Sequence, residues 1–325
     1  MASSSIDGTF SKPGLPKGLA LAHLNICSLR NKTHELSAKL MDNGIHVMAI
    51  TETHLDSTFD DSLISIEGFS MFRKDRNRFG GGVAIYVKHH IPVKLRPDLM
   101  NDNIEALWLQ VHLPHTSPIL IGCCYRPPNS RIEYLNGICD MFDRVADENR
   151  EMYCLGDFNV NWFEDGCSMK KRLLDMTNTC HLSQIVSIPT RNALNRDGAQ
   201  SSSCIDHIYT NVPDRCSKVM SLLVGFSDHD LVAVSRKSKI PKAKSKIICA
   251  RSYKNFSNNA FLEDVKYAQW SKVCVEPDAE KSLNICMDLF VPIVNKHAPL
   301  RKFTFKPNGA PWIDEELKNL MKQRN

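Results

Sequence analysis

Met152-Tyr-Cys-Leu-Gly-Asp-Phe-Asn159 decides how this chain is read. Residues 152–155 are a short apolar run suited to a buried strand, and Asp157 and Asn159 place a carboxylate and an amide just past its end. One polar residue after one strand means little, because a solvated carboxylate there is ordinary. The pattern recurs, however. Asn25 closes the run 19–26, and Glu52 follows the run 45–51 in Ile50-Thr-Glu-Thr-His54. Tyr125 ends the run 119–125 in Cys124-Tyr-Arg-Pro-Pro128. Asp206 lies in Ser203-Cys-Ile-Asp-His207, and Asp228 and His229 lie in Phe226-Ser-Asp-His-Asp230. Strand ends on one edge of a sandwich converge, so these carboxylates, amides, phenol and imidazole are expected to share one cleft.

Working outward, further strand-like runs occupy 83–87, 106–113, 205–209 and 219–225. Helical stretches are expected at 31–43, where Leu36 and Leu40 are four apart, at 132–148 and at 169–180. Helices separate only some neighbouring strands, while others follow through short turns. That mixture predicts an α/β fold: a two-layered sandwich of mixed sheets flanked by helices over residues 18–236. Gly80-Gly81-Gly82 follows no strand-to-helix pattern and is expected to turn a hairpin into 83–87 rather than cradle a phosphate.

Residues 1–17, rich in Ser, Gly, Pro and Lys, read as a mobile lead-in. Residues 236–254 carry eight Lys or Arg and no acidic residue, so 237–254 reads as a basic, solvated linker. Residues 255–325 read as a small helical appendage. It has one helix around Phe261, Val265 and Trp270, one at 283–294 and one at 311–323 that is still running at Asn325, as in a piece of a longer polypeptide.

The chain has 325 residues, 42% hydrophobic and 24% charged, which excludes a disordered or fibrous protein. Its net charge of +5 permits nucleic-acid binding without demanding it. None of the twelve cysteines forms a Cys-x-x-Cys pair, which argues against zinc clusters and for buried free thiols. No apolar run approaches 18 residues, and the start lacks a signal-peptide pattern, so an intracellular protein without a membrane partner is expected.

The chemistry follows from the donor types. Mg²⁺, with Mn²⁺ as a substitute, needs only one or two carboxylates besides substrate oxygens and waters. A scissile phosphate needs neutral or cationic hydrogen-bond donors around its developing charge. Asp206 and His229 fit a pair in which a carboxylate orients an imidazole.

The ordered set ITET, YRPP, GDFN, SCIDH and FSDHD resembles the endonuclease/exonuclease/phosphatase superfamily, which includes deoxyribonuclease I and abasic-site endonucleases. Within it, LNICSLRNK, ITETHL, GGGVAIYVK and CYRPP are similar to the apurinic-type endonuclease domain of retrotransposons that lack long terminal repeats, LINE-type elements. The distal APLRKFTFKPNGAPWIDEELKNLMKQRN resembles the connector that leads towards their reverse transcriptase.

The resemblance implies a deoxyribonuclease I-like fold and a Mg²⁺-dependent enzyme that nicks DNA in the nucleus and leaves a 3′-hydroxyl to prime reverse transcription. It implies that Glu52 is the principal metal ligand, that Asn25 helps hold the metal site, and that Asp228 is a second acid near it. Tyr125 would contact the phosphate, Asp157 and Asn159 would position water and phosphate, and Asp206 would orient the essential His229. Either Asp157 or His229 could be the base. One position departs from the pattern: Cys27 stands where repair endonucleases of this family carry a metal-associated aspartate, which argues against a second metal beside Asn25. Two other readings share the residues, a phosphodiesterase of small phosphoesters and an inactive fragment that only binds DNA or protein.

Overall fold

The computed structural model describes residues 15–194, 200–241 and 246–305. Most of the expected lead-in and the expected helix at 311–323 lie outside them. The chain divides into two compact units, Met1–Pro241 and Lys242–Asn325.

In the first unit the strands are β1 (Leu19–Asn25), β2 (Val47–Thr51), β3 (Phe69–Lys74), β4 (Val83–Lys88), β5 (Val93–Leu95), β6 (Glu105–Val111) and β7 (Ile119–Tyr125). They continue with β8 (Met152–Asp157), β9 (Ser183–Gln184), β10 (Arg191–Leu194), β11 (Gln200–Ser203), β12 (Asp206–Thr210), β13 (Met220–Leu222) and β14 (Leu231–Arg236). Two six-stranded sheets result, in the orders β13-β14-β1-β2-β4-β3 and β5-β6-β7-β8-β12-β9, and β10 and β11 pair separately.

Each sheet contains one parallel pair, β1 with β2 and β7 with β8, and its other neighbours are antiparallel. A parallel pair needs a crossover. The helices α1 (Thr33–Asp42) and α2 (Ile132–Ala146) supply the two crossovers, and α3 (Ser168–Thr179) follows β8. Both parallel pairs end level, Asn25 beside Thr51 and Tyr125 beside Asp157. Each sheet thus brings two polar strand exits to one edge.

Side-chain alternation explains why the runs look apolar throughout. Leu19 and Leu21 of β1 join Val47, Val83, Leu107, Ile121, Leu155 and Val232 in the core between the sheets. Ala22 and Leu24, pointing the other way, pack with Leu36 and Leu40 of α1. On the second sheet's outer face Trp108, Leu120 and Cys154 pack with Leu135, Ile138, Phe142 and Val145 of α2, which recur at helical spacing. Both faces of each sheet are therefore buried, and near-continuous apolar strands are the consequence. All twelve cysteines are free thiols, and six are buried.

The sequence reading missed the short β5, β9, β10 and β11, and also β3 and β14. The last lies between β13 and β1, and its apolar run begins one residue after the Ser-Asp-His-Asp motif. The linker expected at 237–254 is also corrected. Within it β15 (Lys246–Arg251) pairs antiparallel with β16 (Leu300–Phe305), because the four apolar residues Ile247-Ile-Cys-Ala250 inside the charge run suffice for a strand. The second unit is thus not purely helical, although α4 (Asn258–Tyr267), α5 (Ser271–Val275) and α6 (Ala279–His297) dominate it. No helix among the described residues is long and apolar enough to cross a membrane.

Candidate active site

Three strand exits leave β1, β2 and β8 through residues in the left-handed region: Cys27 (φ 46°), Glu52 (φ 53°) and Asn159 (φ 48°). Such conformations cost roughly 1–3 kcal/mol each for non-glycine residues and concentrate at functional sites. Gly156 is required for a different reason, since a Cβ there would sit 1.8 Å from the Cys124 carbonyl oxygen of the adjacent β7.

Asn25 links the two sheets. Its Nδ2 donates to Glu52 Oε1 at 3.0 Å and to Asp157 Oδ2 at 2.9 Å, while its Oδ1 accepts from the Cys27 amide at 3.1 Å. Glu52 Oε1 also accepts from the Tyr125 hydroxyl at 2.8 Å, and Oε2 lies 3.3 Å from His54 Nε2. Burial, followed by the charge of Glu52, drives the Tyr125 phenol well above its usual range, so it stays a donor. Asp157 Oδ1 accepts from the Asn159 amide at 2.8 Å, and Oδ2 accepts from Asn159 Nδ2 at 3.2 Å. Residues 157–159 therefore form an Asx-type turn and belong to the site at once.

Asp206 faces Asp157 directly across the β8–β12 ladder. Like charges in that position repel, and both side chains are buried. Two imidazoles relieve the conflict: His229 Nδ1 lies 2.8 Å from Asp206 Oδ2, and His23 Nε2 lies 2.9 Å from Oδ1. Burial alone would raise the Asp206 carboxyl, but the charge and hydrogen bond of His229 hold it well below its ordinary value. Burial would likewise lower His229, yet the Asp206 carboxylate outweighs it and raises the imidazole to about 9. Asp157 moves the other way, to about 7, through burial and then the charge of Asp206. His229 presents Nε2 as the ring atom left for a substrate.

Asp228 lies apart from this buried group. It pairs with Arg191 (Nη2 at 2.7 Å, Nε at 2.8 Å) and accepts from the Cys27 thiol at 3.2 Å. Burial would raise its carboxyl, but the hydrogen bond from Cys27, the charge of His229 and the hydrogen bond from Arg191 hold it below the usual value, while the Cys27 thiol is pushed up to about 12 by burial and Asp228. Asn25, Glu52, Tyr125, Asp157 and Asn159 thus form one bonded cluster, and Asp206 with His229 adjoins it through Asp157. Ligand atoms of Asp157, Asp206 and His229 lie within 4.8 Å of one another. Two contributors escaped the sequence reading. His23 shares the inward face of β1 with Leu19, Leu21 and Asn25, so its period-two position was the available signal. Arg191 arrives on β10, 37 residues before its partner, and no local signal points to it.

Residues 22–229 match the endonuclease/exonuclease/phosphatase family, and the chain belongs to it. Three solved structures share the fold. The endonuclease domain of TRAS1, a telomere-specific non-LTR retrotransposon, is 16% identical with a TM-score of 0.56, over 68% of this chain and 99% of that one. The 3′ phosphatase NExo from Neisseria, bound to a product DNA hairpin, is 18% identical with a TM-score of 0.55, over 68% and 100%. An AP endonuclease from Archaeoglobus fulgidus is 14% identical with a TM-score of 0.52, again over 68% and 100%. No curated protein matches the chain.

Proposed function

We propose that this protein is a divalent-metal-dependent DNA endonuclease that nicks target DNA for a LINE-type retrotransposon and acts in the nucleus. The observation that carries the reading is the buried Asp206 bonded to His229, placed against Asp157 and, through Asn25, against a Glu52 whose side chain keeps 22% of its surface exposed. A phosphoesterase needs this combination of an oriented imidazole, a carboxylate able to take a proton near neutrality and an accessible hard anion.

The donor set fits Mg²⁺ or Mn²⁺. Glu52 is an accessible carboxylate held in place by Asn25 and Tyr125, and its neighbours offer oxygen and the His54 ring nitrogen rather than sulfur, apart from the protonated Cys27. Asp228 is the second acid, with its charge already met by Arg191. The ion would supply positive charge to the scissile phosphate and to the departing oxygen.

The remaining roles belong to the side chains. Asp157, deprotonated above about pH 7, takes the proton from the attacking water, and Asn159 fixes that carboxylate. His229, held protonated by Asp206, donates from Nε2 to the phosphate. Tyr125 adds a neutral donor beside Glu52. DNA as the substrate is supported by the motif resemblance and by neighbours whose descriptions name a retrotransposon endonuclease, a DNA hairpin and an AP endonuclease. Continuation into a reverse transcriptase belongs to the same proposal. Incubating the protein with supercoiled plasmid in Mg²⁺ and in chelator tests it: open circles with 3′-hydroxyl ends are expected in Mg²⁺ alone. Hydrolysis of inositol phosphates with an untouched plasmid would favour the small-phosphoester reading instead.

A further inference from the structure

Strand β1 lays two polar side chains across the opposed carboxylates of the second sheet. His23 and Asn25 are two residues apart and share one face of the strand. Asn25 Nδ2 meets Asp157 Oδ2 at 2.9 Å, and His23 Nε2 meets Asp206 Oδ1 at 2.9 Å. Asn25 also serves Glu52. The His23 ring serves Asp206 alone, because its Nδ1 is buried with no hydrogen-bond partner among the described residues. The ring is fully enclosed, at 0% exposure, and its backbone is held on both sides, opposite Val232 of β14 and beside Ala49 of β2.

Packing does not account for a histidine at this position. The same face carries Leu19 and Leu21, and a third apolar side chain would extend the core without burying an unpaired nitrogen, which costs stability. What His23 supplies is a hydrogen. An ionised carboxylate can only accept, so Nε2 is the donor to Asp206. The torsion that turns an aspartate carboxylate is broad and roughly two-fold, so a single hydrogen bond leaves its plane free to swing. Asp206 has a donor on each oxygen, His229 Nδ1 on Oδ2 at 2.8 Å and His23 Nε2 on Oδ1. Its own amide donates to Thr190 Oγ1 at 3.1 Å, which fixes the backbone beneath the side chain.

We propose that His23 is a positioning residue that fixes the plane of the Asp206 carboxylate, so that Oδ2 stays aimed at His229 Nδ1 and His229 Nε2 at the phosphate. The last step rests on the DNA-nicking reading above. Being fully buried, His23 touches no substrate, so it bears on the rate of the bound complex and not on DNA affinity.

The test replaces His23 by Gln, Asn and Leu. A glutamine amide nitrogen stands about where imidazole Nε2 does, whereas asparagine reaches only as far as Nδ1, and leucine removes the donor without burying a new polar atom. With isotope-labelled histidine in chelator, the Nδ1–H of His229 should give a slowly exchanging nuclear magnetic resonance signal, absent from His229→Ala, because the pair it belongs to is buried. His23→Asn and His23→Leu should lose that signal and slow single-turnover nicking at saturating DNA in Mg²⁺ by roughly 10- to 100-fold, the scale for removing an orienting partner. Their duplex affinity and cooperative melting should persist. His23→Gln should keep the signal and nick within a few-fold of the parent. Adding His23→Asn to His229→Ala should cost little more, since the bond acts through the imidazole. Equal losses in His23→Gln and His23→Asn would reduce His23 to packing and overturn the proposal, as would a signal or a rate that His23→Asn and His23→Leu leave intact. A parent that gives the signal but never nicks contradicts the nuclease reading, while the signals of the variants still decide whether His23 aligns Asp206.

Discussion

Glu52 and Asp228 leave the first sheet with their carboxylates partly open to solvent, whereas Asp157 and Asp206 of the second sheet are buried face to face on adjacent strands. The two halves of the cleft are therefore suited to different work. An accessible carboxylate can exchange waters and ions, while two buried carboxylates are tolerable only if one shares its charge with an imidazolium and the other takes up protons readily. His229 joins the halves, since it precedes β14 of the first sheet and bonds Asp206 of the second. Under the proposed function, ion binding falls to one sheet and proton handling to the other.

Removing the proton-handling half has the largest expected effect. His229→Ala should lower single-turnover nicking by roughly 10²–10⁴-fold, the range for losing a positioned acid or base. Asp206→Ala should approach that loss, and the double variant should be little worse than His229→Ala, because Asp206 acts through the imidazole. Multiplied losses in the double variant would break the pairing.

A smaller effect, about tenfold per pH unit on either flank, is expected in the pH profile. The rate at saturating DNA should climb as Asp157 loses its proton near 7 and fall as His229 loses its own near 9. The same shift bears on stability. The folded state holds the His229 proton more tightly than the unfolded chain, so its contribution is complete below 6.5 and disappears as the pH rises through about 9. A flat rate between pH 5 and 8 would contradict Asp157 as the base.

The smallest effect sharpens the solvent-facing half. If Asp228 assists Glu52, Arg191→Ala should free it and lower the Mg²⁺ concentration for half-maximal nicking by no more than about fivefold, the scale of a partly exposed ion pair. An unchanged Mg²⁺ requirement would leave Glu52 as the ligand without Asp228.

Legibility in the sequence followed distance along the chain. Asn25, Glu52, Tyr125 and Asp157 could be read because each terminates or follows its own apolar run, so one local pattern marks both the strand and its polar exit. His23 lies inside such a run, where a buried histidine is indistinguishable from a packed one until Asp206 is seen 183 residues away. Arg191 comes from a separate hairpin, and its role exists only through its partner. The sheets themselves were legible in outline, but β14 was obscured by the motif beside it, and β15 by the lysines around it. In both cases charge and chemistry drew attention from a short apolar run.

The central claim, that an accessible carboxylate on the first sheet binds the ion for a proton-handling group on the second, is tested most directly by Glu52→Gln. That change replaces a hard anionic donor with an amide of equal size that can still accept from Tyr125. In chelator the variant should keep the parent's melting temperature, and at saturating Mg²⁺ it should nick supercoiled plasmid on the order of 10³-fold more slowly, a loss of several kcal/mol of charge stabilisation. Nicking by Glu52→Gln within a few-fold of the parent would contradict it.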